Sequence, residues 1–358
     1  MNALRSKLDA EIRRDGAISF ARFMEIALYT PGLGYYERAD TVGIAGDFYT
    51  SVSVGPVFGE LLAFRFARWL EGLKAPRLQL VEGAAHHGHL AFDILNWFSR
   101  YEPELFRRIE YTILEPSALL RLKQQQTLSS FEKSLRWITS WEDLPSQLAG
   151  IVFSNELLDA FPVQVISWNK ALGKWRELGV TLSGEAYVWT TLSSGCVNIE
   201  SPQLPEELLD VLPDGFRTEI NPAAVDWWRS AAKRLHSGWL LTIDYGLETE
   251  DFFVPQRAAG TLRSYRNHRF SEVVLTDPGL QDITAHVDFT KLRLAGELCG
   301  LSTIVESSQA GFLTRIVEEI GRSRPFDEWT PVRLRQFQTL THPDHLGRNF
   351  HVLVQERR

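Results

Sequence analysis

The stretch IVFSNELLDAFPV, residues 151–163, sets an apolar run against a polar and acidic tail. Ile151, Val152 and Phe153 read as a short strand buried on both faces, because an unbroken apolar run is what a strand sandwiched between helices requires. Asn155, Glu156 and Asp159 follow at once. In an open α/β sheet, side chains just beyond the carboxyl end of such a strand border the crevice where ligands bind. These three are therefore candidate site residues, and the expected fold class is α/β, a mostly parallel sheet with helices on both faces.

The same rhythm extends outward. Leu78 to Val81 reads as a strand closed by Glu82 and a turn, with a helix over Leu90 to Phe98. Tyr111 to Leu114 reads as a second strand closed by Glu115, with a helix over Ser117 to Leu128. Leu135 to Ile138 forms a weaker strand, Trp239 to Ile243 a core strand ending in Asp244, Tyr245 and Gly246, and Phe350 to Val354 a last one. Strands alternating with helices are the mark of a parallel sheet. Upstream, Leu4, Leu8 and Ile12 recur at helical spacing before Gly16, and Ser19 opens a helix burying Phe20, Phe23, Met24 and Leu28. Phe58 to Leu73 reads as a third helix.

After Pro162 the pattern changes. Residues 163–168, 174–182 and 186–192 read as antiparallel strands joined by polar turns. Asn221 and Pro222 then open a helix that Gly238 ends. A long irregular segment spans 247–287, and Asp288 caps a helix running through Leu298. The expected organisation is an amino-terminal helical segment over 1–73, a first core part over 74–162, an inserted lobe over 163–236 and a second core part over 237–358. Trp168, Trp175 and Trp189 on the lobe strands serve either as an apolar contact surface or as the lobe's own core, and oligomeric state stays open.

Composition bounds the function. The 358 residues carry a formal charge of −7, with 44% apolar and 23% charged residues, which are ordinary globular values. A nucleic-acid binder needs a concentrated basic surface, so no nucleic-acid partner is expected, and a basic or guanidinium-bearing substrate suits the chain better. Cys196 and Cys299 form no disulfide framework, which fits a reducing compartment. Charged residues from Asp9 to Asp15 leave no signal-peptide core, and no run approaches the roughly 20 apolar residues of a membrane span. The expectation is a soluble, cytoplasmic protein.

The segment LQLVEGAAHHGHL, residues 78–90, is a strand, a glycine-bearing turn and a helix start. Gly83 and Gly88 permit close backbone approach to a ligand, but the absence of GxGxxG leaves a dinucleotide site unsupported. Glu115 sits where such folds hydrogen-bond ribose hydroxyls, so Glu82, the turn and Glu115 together favour an adenosine-containing cofactor lacking phosphates. His86, His87 and His89 lack the spacing of a helical zinc pair, and no metal is expected. No GxSxG elbow occurs. His268 and His286 read equally as bases or as structural histidines.

Several motifs together resemble the MidA family: GDFYTS at 46–51 with FGEL at 58–61, NELLDAFPV, LTIDYG at 241–246, TLRSYRNHR at 261–269 and QDITAHVDF at 281–289. Its mitochondrial members are respiratory complex I assembly factors that act as protein arginine methyltransferases. The resemblance implies a class I methyltransferase core that uses S-adenosyl-L-methionine, with one antiparallel strand near the sheet edge, and an arginine side chain of a partner protein as substrate. It also implies that Gly46, Asp47 and Phe48 form a loop beside the cofactor, and that Glu82, Gly83, Ala84 and Gly88 meet its methionine end. Glu115 takes the ribose, while Asn155, Glu156 and Asp159 border the methyl-transfer site.

Two departures stand out. The family has glycine at three alternate positions after the strand glutamate, where this chain has Ala84, His86 and Gly88, and a Pro, Glu pair where it has Val52 and Ser53. These motivate an alternative expectation, a binding or assembly protein that keeps the fold without catalysis. Arg263, Arg266 and Arg269 either contact a partner or cofactor, or pair with acids inside their own loop.

Overall fold

A computed structural model describes residues 3–38, 50–193, 202, 204–266, 269–323, 326–343 and 345–358. The chain divides into two compact units. One comprises residues 49–158, 225–246 and 289–358, and the other 1–48, 159–224 and 247–288. The sequence placed boundaries at 73/74, 162/163 and 236/237, whereas the units change over at 48/49, 158/159, 224/225, 246/247 and 288/289. Helix Val57–Leu70 goes with the first unit because Phe58, Leu61, Leu62, Phe64 and Phe66 pack into its core.

That core unit is built on seven strands, numbered here in chain order: β1 Leu78–Gly83, β2 Ile109–Leu114, β3 Leu135–Ile138, β4 Leu148–Asn155, β5 Leu235–Leu247, β6 Ser302–Ser308 and β7 Phe350–Arg357. They lie in the order β6-β7-β5-β4-β1-β2-β3. Strands β1 to β5 run parallel to one another, and β7 runs antiparallel to both β5 and β6. This is the expected mostly parallel sheet with one reversed strand.

The central strands are mainly apolar because both faces are covered. Tyr111, Ile113, Ile151 and Phe153 lie in one core with helix His89–Tyr101, whose Leu90, Ala91, Ile94, Leu95 and Phe98 are buried. The Phe66 and Phe153 rings approach to 5.0 Å. Each such side chain contributes about 1.5–3 kcal/mol on burial. Residues 301–349, to which the sequence reading assigned no element, supply β6 and helices Gln309–Ser323 and Pro331–Thr341.

The second unit opens with helices Ala3–Asp15 and Phe20–Tyr29, the latter capped by the Ser19 hydroxyl, which accepts from the Arg22 N–H at 3.2 Å. The expected antiparallel strands are present as Gln164–Asn169, Lys174–Ser183 and Ala186–Thr191, joined by Arg217–Ile220. Trp168 and Trp175 are buried with ring centroids 5.3 Å apart, and Trp189 lies 4.9 Å from Phe20, so all three pack within this unit. The segment expected to be irregular over 247–287 holds a small sheet of Arg263–Arg266, Arg269–Ser271 and Asp282–Thr284. Arg263 pairs with Glu272 at 3.4 Å and Arg266 with Asp277 at 2.8 Å, the loop-internal reading of those arginines.

Candidate active site

Strand register aligns the carboxyl ends of three core strands: Gly83 of β1 sits between Leu114 of β2 and Ser154 of β4. The structure thereby brings Glu82, the turn 83–88, Glu115, Asn155 and Glu156 to one edge of one sheet. Asp159 falls in the other unit, where it is buried and its carbonyl accepts from the Ala285 N–H at 2.9 Å. Gly46, Asp47 and Phe48 lie outside the described residues, as does His268.

The turn after β1 has an unusual backbone. Ala84 (φ 51°) and His86 (φ 46°) adopt the left-handed region, as does Gly88 at 83°. Only glycine takes this conformation without steric cost, and other residues give up about 1–2 kcal/mol there. Alanine and histidine at these positions have thus kept a glycine-shaped turn. Gly83 is glycine for a different reason, since a Cβ there would lie 2.6 Å from the Trp227 ring and 2.9 Å from Leu157. Packing, not ligand approach, accounts for it.

Side chains outside the sequence motifs hold the turn. Gln124, buried in helix Ala118–Thr127, donates from Nε2 to the His86 carbonyl at 2.9 Å and to Glu115 Oε2 at 3.1 Å, while its Oε1 accepts from the Trp137 indole at 3.0 Å. The other Glu115 oxygen accepts from the Ser117 N–H at 3.0 Å. One glutamine therefore ties the turn to the acid that follows β2. The His86 ring stacks on His87 at 4.0 Å, and burial, with His87, Lys123 and His89 nearby, pushes its pKa down to about 3.

Glu82 is buried and accepts from the Tyr111 hydroxyl at 2.7 Å. Burial pushes its carboxyl up to about 8, against the lowering effect of that hydrogen bond and with Glu115 adding to the rise. A carboxyl held neutral in this way gains charge when a cation binds beside it.

At the end of β4, Glu156 also adopts the left-handed region (φ 50°). Asp244 of β5, fully buried, fixes that turn: its Oδ2 accepts from the N–H groups of Leu157 and Leu158 at 3.1 and 2.8 Å, and its Oδ1 from Tyr245 at 2.8 Å. The Glu156 N–H donates to the Ile243 carbonyl at 2.9 Å, and its Oε1 accepts from the Ser51 N–H and from Asn155 Nδ2, both at 3.0 Å. Asn155 Oδ1 is buried with no hydrogen-bond partner among the described residues. Strained non-glycine residues gather where structure is held for function. Here they follow two neighbouring strands at one sheet edge.

Sequence reasoning identified the strand-terminal acids and missed their supports. Asp244 carried the same signal as Glu82 and Glu115, an acid closing a core strand. Gln124 and Tyr111 carried none, because they act across the chain from a helix and a neighbouring strand.

A reversed strand within a parallel sheet, with acids and a left-handed turn at its carboxyl edge, is the architecture of a class I methyltransferase. A family model described as "Putative S-adenosyl-L-methionine-dependent methyltransferase" matches residues 61–307, and the chain belongs to that family. The turn geometry, the neutral Glu82 and the open acceptor of Asn155 fit a cationic nucleoside cofactor, and S-adenosyl-L-methionine is the cofactor of this enzyme.

Among its relatives, the zebrafish protein arginine methyltransferase NDUFAF7, mitochondrial, is 30% identical over 315 residues, 81% of this chain and 71% of that protein. The human protein of the same name is 26% identical over 377 residues, covering 96% and 81%. A Burkholderia thailandensis protein solved with S-adenosyl-homocysteine bound superposes with a TM-score of 0.83 at 30% identity, covering 99% of this chain and 92% of the other. The cytoplasmic expectation is corrected here, because these curated relatives are named as mitochondrial. Charge near the amino terminus argued only against a secretory signal. No helix among the described residues is long and apolar enough to cross a membrane.

Proposed function

We propose that this methyltransferase modifies an arginine side chain of a partner protein. The observation that carries the reading is the Glu156 carboxylate, fixed through Ser51 and Asn155 on a strained turn at the end of β4. The names of the curated relatives support the same substrate class.

In this reading Glu82 and the turn through Gly83, Ala84 and Gly88 hold the methionine end of the cofactor, and Glu115 holds the ribose. When bound, S-adenosylmethionine supplies an electrophilic methyl group on a sulfonium. The protein's task is mainly positioning, with the accepting nitrogen about 3–3.5 Å from that carbon. Guanidinium is planar and permanently charged, so a carboxylate that grips it fixes its orientation and draws its positive charge away from the accepting nitrogen. Glu156 is assigned that grip, with Asn155 the orienter of Glu156. No strong base is required, since a methylated guanidinium loses its extra proton afterwards.

The non-catalytic alternative rested on Ala84 and His86 replacing glycines. Their left-handed backbone preserves the turn, which weakens that alternative.

The test is transfer of labelled methyl to candidate partner proteins, with arginine derivatives identified by mass spectrometry. Glu156→Gln is expected to lower kcat at least about a hundredfold, the scale of losing one positioned charge at a reacting centre. Calorimetry should give the same cofactor affinity for both proteins. Equal labelling by wild type and variant removes Glu156 from the chemistry.

A further inference from the structure

The amino ends of β1, β2 and β3 carry a different chemistry. Arg77, Arg107, Arg108, Lys133 and Arg136 line one groove of about 430 Å³, with Glu110 the one carboxylate in its wall. Five cations line the groove against one acid in its wall, with Arg107 also paired to Glu104 beside it, in a chain whose formal charge is −7. Phe106, Ile109 and Leu135 supply an apolar floor.

The groove is partly organised. Arg108 donates from Nη2 to the Ala75 carbonyl at 2.6 Å, and Arg136 from Nη2 to the Asp143 carbonyl at 2.7 Å, which fixes two of the cations. Glu110 reaches Arg77 and Arg136 only at 4.0 and 3.9 Å, and the Arg77 side chain is 82% exposed. Lys133 is exposed as well. The fixed arginines set the shape, and the exposed cations remain open to solvent.

We propose that this groove docks an acidic peptide segment of a protein partner, carboxylates meeting the cations and an apolar side chain resting on Phe106 and Leu135. Two observations favour a peptide over other anions. The cations come from three separate stretches of chain and line a cavity far larger than one phosphate needs. The apolar floor offers nothing to a bare inorganic ion.

The groove goes beyond the methyl-transfer reading. It lies at the opposite end of β2 from Glu115, about 20 Å away along six residues of strand. A partner gripped there has a raised effective concentration at a distant reaction centre.

The experiment titrates the full chain into a fluorescein-labelled peptide of alternating glutamate and leucine, with inorganic phosphate and single-stranded oligothymidine as competitors. The expected result is saturable binding that weakens with salt and is at least about tenfold weaker for the double variant Arg77→Glu, Lys133→Glu. Both sites are exposed, and circular dichroism checks that the variant folds. Peptide binding that is absent, equal in the variant, or displaced more readily by the oligonucleotide overturns the proposal. Cofactor affinity, measured by calorimetry on the same variant, stays unchanged, so a failure of docking is distinguishable from a failure of the arginine reading.

Discussion

The turns that leave β1 and β4 both force non-glycine residues into the left-handed region, yet they are held in opposite ways. After β4, a buried carboxylate from the next strand, Asp244, receives three backbone N–H groups. After β1, the clasp is a neutral amide, Gln124, and the nearby carboxylate, Glu82, has a phenol as its hydrogen-bond partner and is pushed toward neutrality. One acid is committed to the fold. The other retains capacity to respond to a ligand's charge.

If that contrast is right, the largest stability effect belongs to Asp244. Asp244→Ala strands buried N–H donors at Leu157 and Leu158, each worth about 1–3 kcal/mol. Denaturant unfolding should show a loss of about 3 kcal/mol, together with loss of methyl transfer as Glu156 leaves its place. A loss below about 1 kcal/mol would make the two turns equivalent.

Next in size is the pH response of Glu82. Its folded pKa, about 8, lies above its ordinary value of 4.5, so its contribution is complete below pH 4.5 and is lost as pH rises through 8. His86 has the opposite sign: depressed to about 3, it stabilises fully above pH 6.5 and loses that contribution as pH falls toward 3. The two slopes oppose one another between 4.5 and 6.5; above 6.5 Glu82 falls without that offset, and Asp93, raised by burial and by Glu60 to about 7, adds to the fall up to its own pKa. Stability of the cofactor-free protein should therefore fall by about 1.5 kcal/mol or more between pH 6.5 and 8, and Glu82→Gln should remove most of that fall. A pH-independent denaturation midpoint in the wild type would count against a neutral Glu82.

The smallest effect is at Ala84. Replacement by glycine relieves the left-handed penalty but adds freedom to the unfolded chain, for a net gain of up to about 1 kcal/mol, readable as a rise in melting temperature. A drop would mean that the Ala84 methyl is packed rather than merely tolerated.

Much of this was legible in the residues. The apolar runs at 78–81, 111–114, 151–153 and 239–243 are strands because burial on both faces demands them, and the acids closing them fall at the sheet's carboxyl edge. Order was not legible, since periodicity says nothing about which strand lies beside which. Strand Ser302–Ser308 escaped notice because it is a half-exposed edge with few apolar residues. The strands within 263–284 are three or four residues long, too short to establish a period. Of the site, the charged ends could be read and the groups that brace them could not, because Gln124 reaches His86 across 38 residues and Asp244 reaches Leu158 across 86.

The reversed strand β7 follows every other core strand in sequence, yet it lies inside the sheet, between β5 and β6. During translation, β6 emerges with no neighbour to pair with, and the far edge of β5 stays open until residues 350–357 have left the ribosome. Until then the nascent core is an incomplete sheet with bare backbone edges, the kind of surface that chaperones shield. Closure of the sheet waits for β7, the last of these strands in sequence.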